Sequence, residues 1–456
     1  MKHWMTNITS GRKTQGRNPH GPHSILYVNL AFPPMSGPGT WRALWFTKYL
    51  AEWGYAVTVL CGTRSKWCHR YDKSLLQVLP VTVRVRRIKS AFQYRMFSKF
   101  SCRFIVGVRK AIARRIERYY PEPDEYFLWA IKATIISIIL VLSRRIDCVI
   151  TSGPPHMSHI VGWFTKKVAR KPWIMDYRDL WTDDPIQSPQ RGYQKSLFVA
   201  MERKAVASAD AIVTVSPFWQ HHLRAKFRGE KRGDNFFLIR NGHNLSREIA
   251  DKSVPRHYGE RLHVHFNGTP QSFNLSKSFL EALTRLKSAT SSDHSIPIFT
   301  FTGFDGFFSS EVQSRCLEDI VIDVGVMSHQ QCIEYCLGCD VLLVIVTNDA
   351  PPLHRGTIPA KIYEAIALRR HILAIVPTNS DVIEILEEYG NATVCNVDNP
   401  DDIYRGLIRL ATDWTENKIN GVLDVQKMEA ILWKYHRKNE ANQLNAIIEN
   451  LLAKRN

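Results

Sequence analysis

The sequence predicts an α/β protein of two doubly wound domains. Three observations carry this. Hydrophobic periodicity switches repeatedly between strand and helix spacing, and the alternation breaks and restarts around residue 245. The chain has 456 residues, too many for one core at ~150 residues per domain. Regular strand and helix alternation implies parallel strands covered by helices. Apolar residues at 45% and charged residues at 23% provide a core for each half, and they exclude wholesale disorder.

The elements follow in order. Residues 1–23, MKHWMTNITSGRKTQGRNPHGPH, carry charge and turn residues without an apolar run, so a disordered basic extension is expected and not a secretory leader. The first strand is expected over 24–32, ending in the turn PPMSGPG. A helix then runs from Thr40 towards Gly54, with YAVTVLC as the next strand. Helices at 126–143, 156–168 and 192–207 alternate with strands at 147–151, 173–176 and 211–215. The polar stretch HNLSREIADKSVPRHYGE reads as a linker, dividing a domain over 24–245 from one over 246–415. Strands at 262–268, 296–303, 320–326, 340–346 and 371–376 build the second half, with helices at 276–288, 328–338, 359–367, 381–388 and 401–412. Within residues 416–456 a last helix, 424–452, is long enough at ~1.5 Å per residue to pack back across both domains.

The 61 Lys and Arg against 42 Asp and Glu give a net charge of +19, which favours anionic partners without saying which. Much of that charge lies in 84–118, RVRRIKSAFQYRMFSKFSCRFIVGVRKAIARRIER, where basic residues alternate with aromatic and aliphatic ones. It reads as a surface for anionic membrane or a partner, or as a solvated helix face with anchoring aromatics. The apolar run from Leu128 to Leu142 is interrupted by Lys132 and is short against the ~20 residues of a membrane span, so a buried or interfacial helix is expected. Nine cysteines without a leader point to reduced thiols and a cytoplasmic protein, either free or peripheral at the membrane's inner face.

Five stretches carry chemistry. Gly37 and Gly39 sit where a helix begins, so backbone N–H groups and the helix dipole suit a phosphate there, and Arg42 adds charge one turn later. His156 and His159 follow a strand end three residues apart, on one helix face. Arg178 and Asp179 occupy the end of another strand, as a group for acceptor hydroxyls or as an ion-pair cap. Gly268 and Thr269 end a strand in the second half. Gly356 and Thr357 lead into a short helix with Lys361 near its start and Glu364 on the same face, placed for a diphosphate and for ribose hydroxyls; standing alone, this is also a surface Lys–Glu pair. Cys332, Cys336 and Cys339 lie on one helix face and read as buried structural cysteines. His263 and His265 alternate along a strand without a third ligand nearby in sequence, so no metal site is expected.

Together, FPPMSGPGTWR (32–42), DCVITSGPPHMSH (147–159), DYRDLWT (176–182), ADAIVTVS (209–216), IRNGH (239–243), HFNGT (265–269), CDVLLVIV (339–346) and GTIPAKIYEAIA (356–367) resemble the retaining glycosyltransferases of family 4. The resemblance covers roughly residues 24 to 450 and implies the GT-B fold, two Rossmann-like domains facing a central cleft. It implies transfer of a sugar from a nucleotide-sugar donor to a glycan or lipid-linked acceptor with retention of configuration, as in surface polysaccharide or glycoconjugate biosynthesis. Its first domain binds the acceptor and its second the nucleotide sugar. On that reading Gly37, Gly39, Arg42, Gly268, Thr269, Gly356, Thr357, Lys361 and Glu364 bind the donor, and His156, Arg178 and Asp179 are the catalytic group. No metal and no nucleic-acid partner is implied. One departure stands out: where the family often has the first of two glutamates with seven residues between them, this chain has Gly356, counting back from Glu364. A binding protein that kept the fold, or a sugar-nucleotide epimerase, is the alternative.

Overall fold

The computed structural model describes residues 23–63, 70–89, 124–184, 192–231, 233–252, 257–259, 261–268, 276–289, 296–348, 353–419 and 424–454. The expected N-terminal extension and the 90–118 part of the basic stretch lie outside them. In chain order the first half forms β1 (Ser24–Val28), β2 (Met35–Ser36), α1 (Pro38–Glu52), β3 (Ala56–Gly62), β4 (Arg70–Tyr71), β5 (Arg84–Ile88), α2 (Asp124–Ser143), β6 (Cys148–Gly153), α3 (Met157–Ala169), β7 (Trp173–Tyr177), α4 (Gly192–Ser208), β8 (Ala211–Thr214), α5 (Pro217–Lys226) and β9 (Phe236–Leu238). A short α6 (Arg247–Ala250) stands in the expected linker.

Seven of these strands make one parallel sheet in the order β5-β3-β1-β6-β7-β8-β9, while β2 and β4 pair as a small antiparallel ribbon beside the glycine-rich turn. Alternate residues of β1 serve opposite faces. Leu26 and Val28 join the core under α2 and α3, and Ile25 and Tyr27 join the core under α1. Both faces are covered, which is why the strand reads as a continuous apolar run.

The start of the basic stretch is a strand. β5 pairs in parallel with β3 at the sheet edge, buries Ile88 and leaves its arginines at the surface. Charge on an edge strand discourages pairing with other chains. The apolar run has become the twenty-residue α2, whose segment Tyr126–Ser143 is long and apolar enough to cross a membrane by length and composition. Tyr126, Trp129, Ala130 and Ala133 of its inner face are buried in the first core, whereas Phe127, Ile131, Ile135, Ile139 and Leu142 stand exposed.

The second half comprises β10 (His263–Phe266), α7 (Lys277–Ala289), β11 (Ile298–Phe301), α8 (Gly306–Ser314), β12 (Val321–Asp323), α9 (His329–Leu337), β13 (Val341–Ile345), α10 (Lys361–Ala367), β14 (His371–Val376), α11 (Asp381–Tyr389), β15 (Ala392–Asn396) and α12 (Pro400–Thr415). Its six strands form a second parallel sheet, β12-β11-β10-β13-β14-β15. The periodicity had not indicated α5, β9, α8 or β15.

The continuous helix expected over 424–452 is divided into α13 (Val425–Lys434) and α14 (Arg437–Ala453). The break has a purpose visible in the cores. Met428 and Ile431 of α13 pack with the second sheet, and Ala441, Leu444 and Ile448 of α14 pack with the first. At the break the returning chain meets the outgoing one: His243 N–H donates to Tyr435 O at 2.9 Å and Arg437 N–H to His243 O at 2.8 Å.

Candidate functional site

The carboxyl ends of β1, β6 and β7 gather the first half of the site. Gly39 lies at the start of α1, and a Cβ placed on it would stand 1.6 Å from Nη1 of Arg178. The guanidinium therefore rests directly on the glycine-rich turn, and Gly39 is required by this close approach. Arg178 Nη2 also donates to Pro154 O. Its Nε finds no partner among the described residues, and burial lowers the group from its ordinary range. Asp179 follows, half-buried. Gly39→Ala is expected to drive the guanidinium off the turn at a cost of about 1–3 kcal/mol, read as a lower midpoint in denaturant unfolding. Adding Arg178→Ala should recover part of that loss, and strictly additive costs in the double variant would refute the contact.

His156 caps this cluster. Its Nε2–H donates to Leu180 O at 3.1 Å, and its ring stacks on Trp181 with centroids 5.4 Å apart. Burial, with His159 and Arg178 nearby, holds it well below the usual histidine range, so it is a neutral imidazole. His159 hydrogen-bonds Thr151 Oγ1 at 2.9 Å and is pushed down to about 3 by burial.

Arg42 is placed differently from expectation. All five of its N–H donors are committed. Nε and Nη2 hold Asp176 at 3.0–3.2 Å, Nη2 also reaches Ile239 O at 3.1 Å, and Nη1 reaches Arg240 O at 3.0 Å and Asn241 Oδ1 at 3.3 Å. A fully buried guanidinium with no donor to spare is a structural pin between α1, β7 and the interdomain crossing, not a diphosphate ligand.

The second half of the site sits on β10 and α10. Lys361, half-buried at the first turn of α10, places Nζ 3.3 Å from the centroid of the Phe266 ring and against Gly268. Burial pushes it down to about 7, against the opposing pull of Glu364. Glu364 Oε2 accepts from Asn267 Nδ2 at 3.3 Å, and its Oε1 stands 3.7 Å from His329 Nε2; burial raises its carboxyl. Thr357 lies just before α10, its N–H donating to His354 O at 2.9 Å. Thr269 lies outside the described residues.

The two halves meet through contacts the motifs had not indicated. Trp41, two residues past Gly39, packs on His329 at the start of α9 with ring centroids 4.6 Å apart. His329 in turn faces Glu364, so the glycine-rich turn and the Lys361–Glu364 helix stand across one cleft. A second bridge explains Gly356. A Cβ there would lie 2.3 Å from Trp219 Cδ1 and 2.7 Å from Ser216 Oγ. Trp219, on α5 of the first half, donates from Nε1 to Leu353 O at 3.0 Å, and Phe218 N–H donates to Asp381 Oδ2 at 2.8 Å. Gly356 thus makes room for an interdomain contact and is itself buried.

Residues 37–235 match a family model described as glycosyl transferase 4-like domain. No curated protein sequence matches the chain. Among solved structures, Anabaena Alr3699/HepE in complex with UDP and glucose is similar, with a TM-score of 0.60 and 15% identity over 93% of this chain and 99% of that one. Sucrose-phosphate synthase (tll1590) from Thermosynechococcus elongatus gives 0.60 and 13% over 95% and 100%. A UDP-N-acetylglucosamine 2-epimerase gives 0.52 and 12% over 93% and 94%. At these identities the likeness shows the fold, which is GT-B.

Proposed function

We propose that the chain is a glycosyltransferase that moves a sugar from a nucleotide-sugar donor to a glycan or lipid-linked acceptor, retaining its configuration, in the synthesis of a surface polysaccharide or glycoconjugate. The observation that carries the reading is the pairing of Lys361 and Glu364 on one face of α10, opposite the turn on which Arg178 rests. Lys361 takes the diphosphate and Glu364 the ribose hydroxyls. Arg178 and the N–H groups of the turn stabilise charge on the departing nucleotide, so positive side chains and a helix start supply what the leaving group needs. His156, neutral, orients the acceptor side beside Arg178 and Asp179. The acceptor hydroxyl attacks on the face from which the nucleotide leaves. The matched glycosyl transferase 4-like domain and the UDP and glucose bound by the Anabaena structure support this reading.

A panel of nucleotide sugars, screened by thermal stabilisation, identifies the donor, since a ligand bound only to the folded state raises stability with affinity. Transfer is then read by NMR of the product's anomeric centre. Inversion would refute retention, and free nucleotide released with a 2-epimer would establish the epimerase alternative. Absence of both nucleotide binding and turnover across the panel would leave only a binding protein.

The acceptor reading extends to the membrane. Ile131, Ile135, Ile139 and Leu142 of α2, with Phe164 and Val168 of the neighbouring α3, form an exposed apolar stripe. Lys132, Arg145 and Lys167 are exposed around it. An apolar stripe ringed by cations suits an anionic lipid surface, and with its other face in the core α2 lies on a bilayer instead of crossing it. On this reading the enzyme works at the inner face of the cell membrane. The full chain should sediment with phosphatidylserine vesicles and less with neutral ones. Replacing Lys132 and Arg145 by glutamine should weaken binding by roughly fivefold each, and Ile135→Glu with Ile139→Glu should remove it. Equal recovery on both vesicle types would refute the docking.

A further inference from the structure

Behind the Glu364 shelf, β10 and α9 bring soft donor atoms together that lie far apart in the sequence. β13 follows α9 and pairs with β10, so the thiols of α9 are folded over the imidazoles of β10. The donor atoms of His265, Cys332 and Cys336 lie within 4.8 Å of one another, and those of His263, His265 and Cys339 do so as well. All five side chains are buried, and the three cysteines are free thiols.

We propose that His265, Cys332 and Cys336 bind a zinc ion. Two thiolates and one imidazole are a recurrent zinc ligand set, and bond lengths of ~2.0–2.3 Å in a tetrahedral site need only a modest closing of the observed cluster. The imidazole is already oriented for it. His265 Nδ1 lies 2.8 Å from Thr300 Oγ1, an outer bond of the kind that fixes a ligating histidine and leaves Nε2 for the metal. Nε2 faces the same side as Cys332: Thr302 Oγ1 stands 3.3 Å from Nε2 and 3.7 Å from Cys332 Sγ. The fourth position opens towards Asn267, whose Oδ1 is 2.8 Å from Cys332 Sγ. Charge also balances. The ion displaces the two thiol protons to solvent, forms two Zn–S bonds and one Zn–N bond, and leaves a neutral unit suited to a dry interior. The ion would lie beneath the shelf, holding α9 to β10, and would take no part in the cleft.

The full chain, purified without chelator from zinc-supplemented culture, should hold about one zinc ion per chain by elemental analysis. Cobalt titration of the metal-free protein should give a thiolate charge-transfer band and tetrahedral d–d bands. Both should vanish in Cys332→Ser and in Cys336→Ser and persist in Cys316→Ser, whose cysteine is exposed elsewhere. Because the serine variants could fold poorly, the wild type supplies an independent readout: a chelator should lower its Tm, and added zinc should restore it. Substoichiometric zinc with no cobalt bands, or a Tm indifferent to chelator and zinc, would overturn the site. None of these measurements depends on a nucleotide sugar, so the zinc proposal and the transferase reading fail separately.

Discussion

Lys361→Met is expected to weaken binding of the nucleoside diphosphate while making the ligand-free protein more stable at neutral pH. The loss follows from removing the cation opposite the diphosphate, worth about 3 kcal/mol or roughly a hundredfold in affinity. The gain follows from the burial that pushes Lys361 down to about 7. Between that value and the ordinary lysine range the unfolded chain binds more protons than the folded one, so stability rises with pH across that window. Below pH 7 the native protein carries the full cost of charging a half-buried amine, and the methionine variant does not. Its Tm should exceed wild type at pH 6.5, with the difference closing as pH approaches the ordinary lysine value. The same shift governs binding. A bound diphosphate draws a proton onto Lys361, so affinity should fall by up to about tenfold per pH unit above 7, with proton uptake visible by calorimetry in buffers of different ionisation enthalpy. Affinity independent of pH between 7 and 9 would refute the assignment.

Installing at position 356 the glutamate often found there in the family 4 glycosyltransferases that the sequence resembles should damage the protein. A Cβ at Gly356 has Trp219 at 2.3 Å and the capping hydroxyl of Ser216 at 2.7 Å, both in a buried contact between the two halves. Gly356→Glu must expel Trp219, break its bond to Leu353 O and bury a carboxylate without a prepared partner. The expected cost is about 3 kcal/mol or more, with transfer activity reduced alongside Tm. Gly356→Ala should show the smaller steric part alone. A Gly356→Glu enzyme more active than wild type would mean that the contact opens freely and that the site had merely lost its glutamate.

The alternation that revealed both sheets was legible because a strand buried on both faces and a helix buried on one leave different periods in the sequence. α5 was not, because Trp219 and Leu223 are the only two of its ten residues that are buried, one i,i+4 pair on a single face and too few to set a period. The motifs located Gly39, Arg178, Lys361 and Glu364 correctly at strand ends and helix starts. They could not show that Arg42 is consumed by Asp176 and by carbonyls near residue 240, since those partners lie far along the chain. Trp41 with His329, and the thiols of α9 with the imidazoles of β10, were hidden for the same reason. Spacing reports neighbours on one element, and sheet order decides which elements become neighbours.

The break between α13 and α14 makes the first folding unit discontinuous in sequence. Its sheet is complete by Leu238, yet the apolar wall against Ile25, Tyr27 and Phe46 is finished only by Ala441, Leu444 and Ile448 from the far end of the chain. A fragment ending at residue 245 would leave that wall bare. A protease cut in the 253–256 segment would still leave the second fragment holding the first through α14. The halves can be severed as polymers without coming apart as bodies.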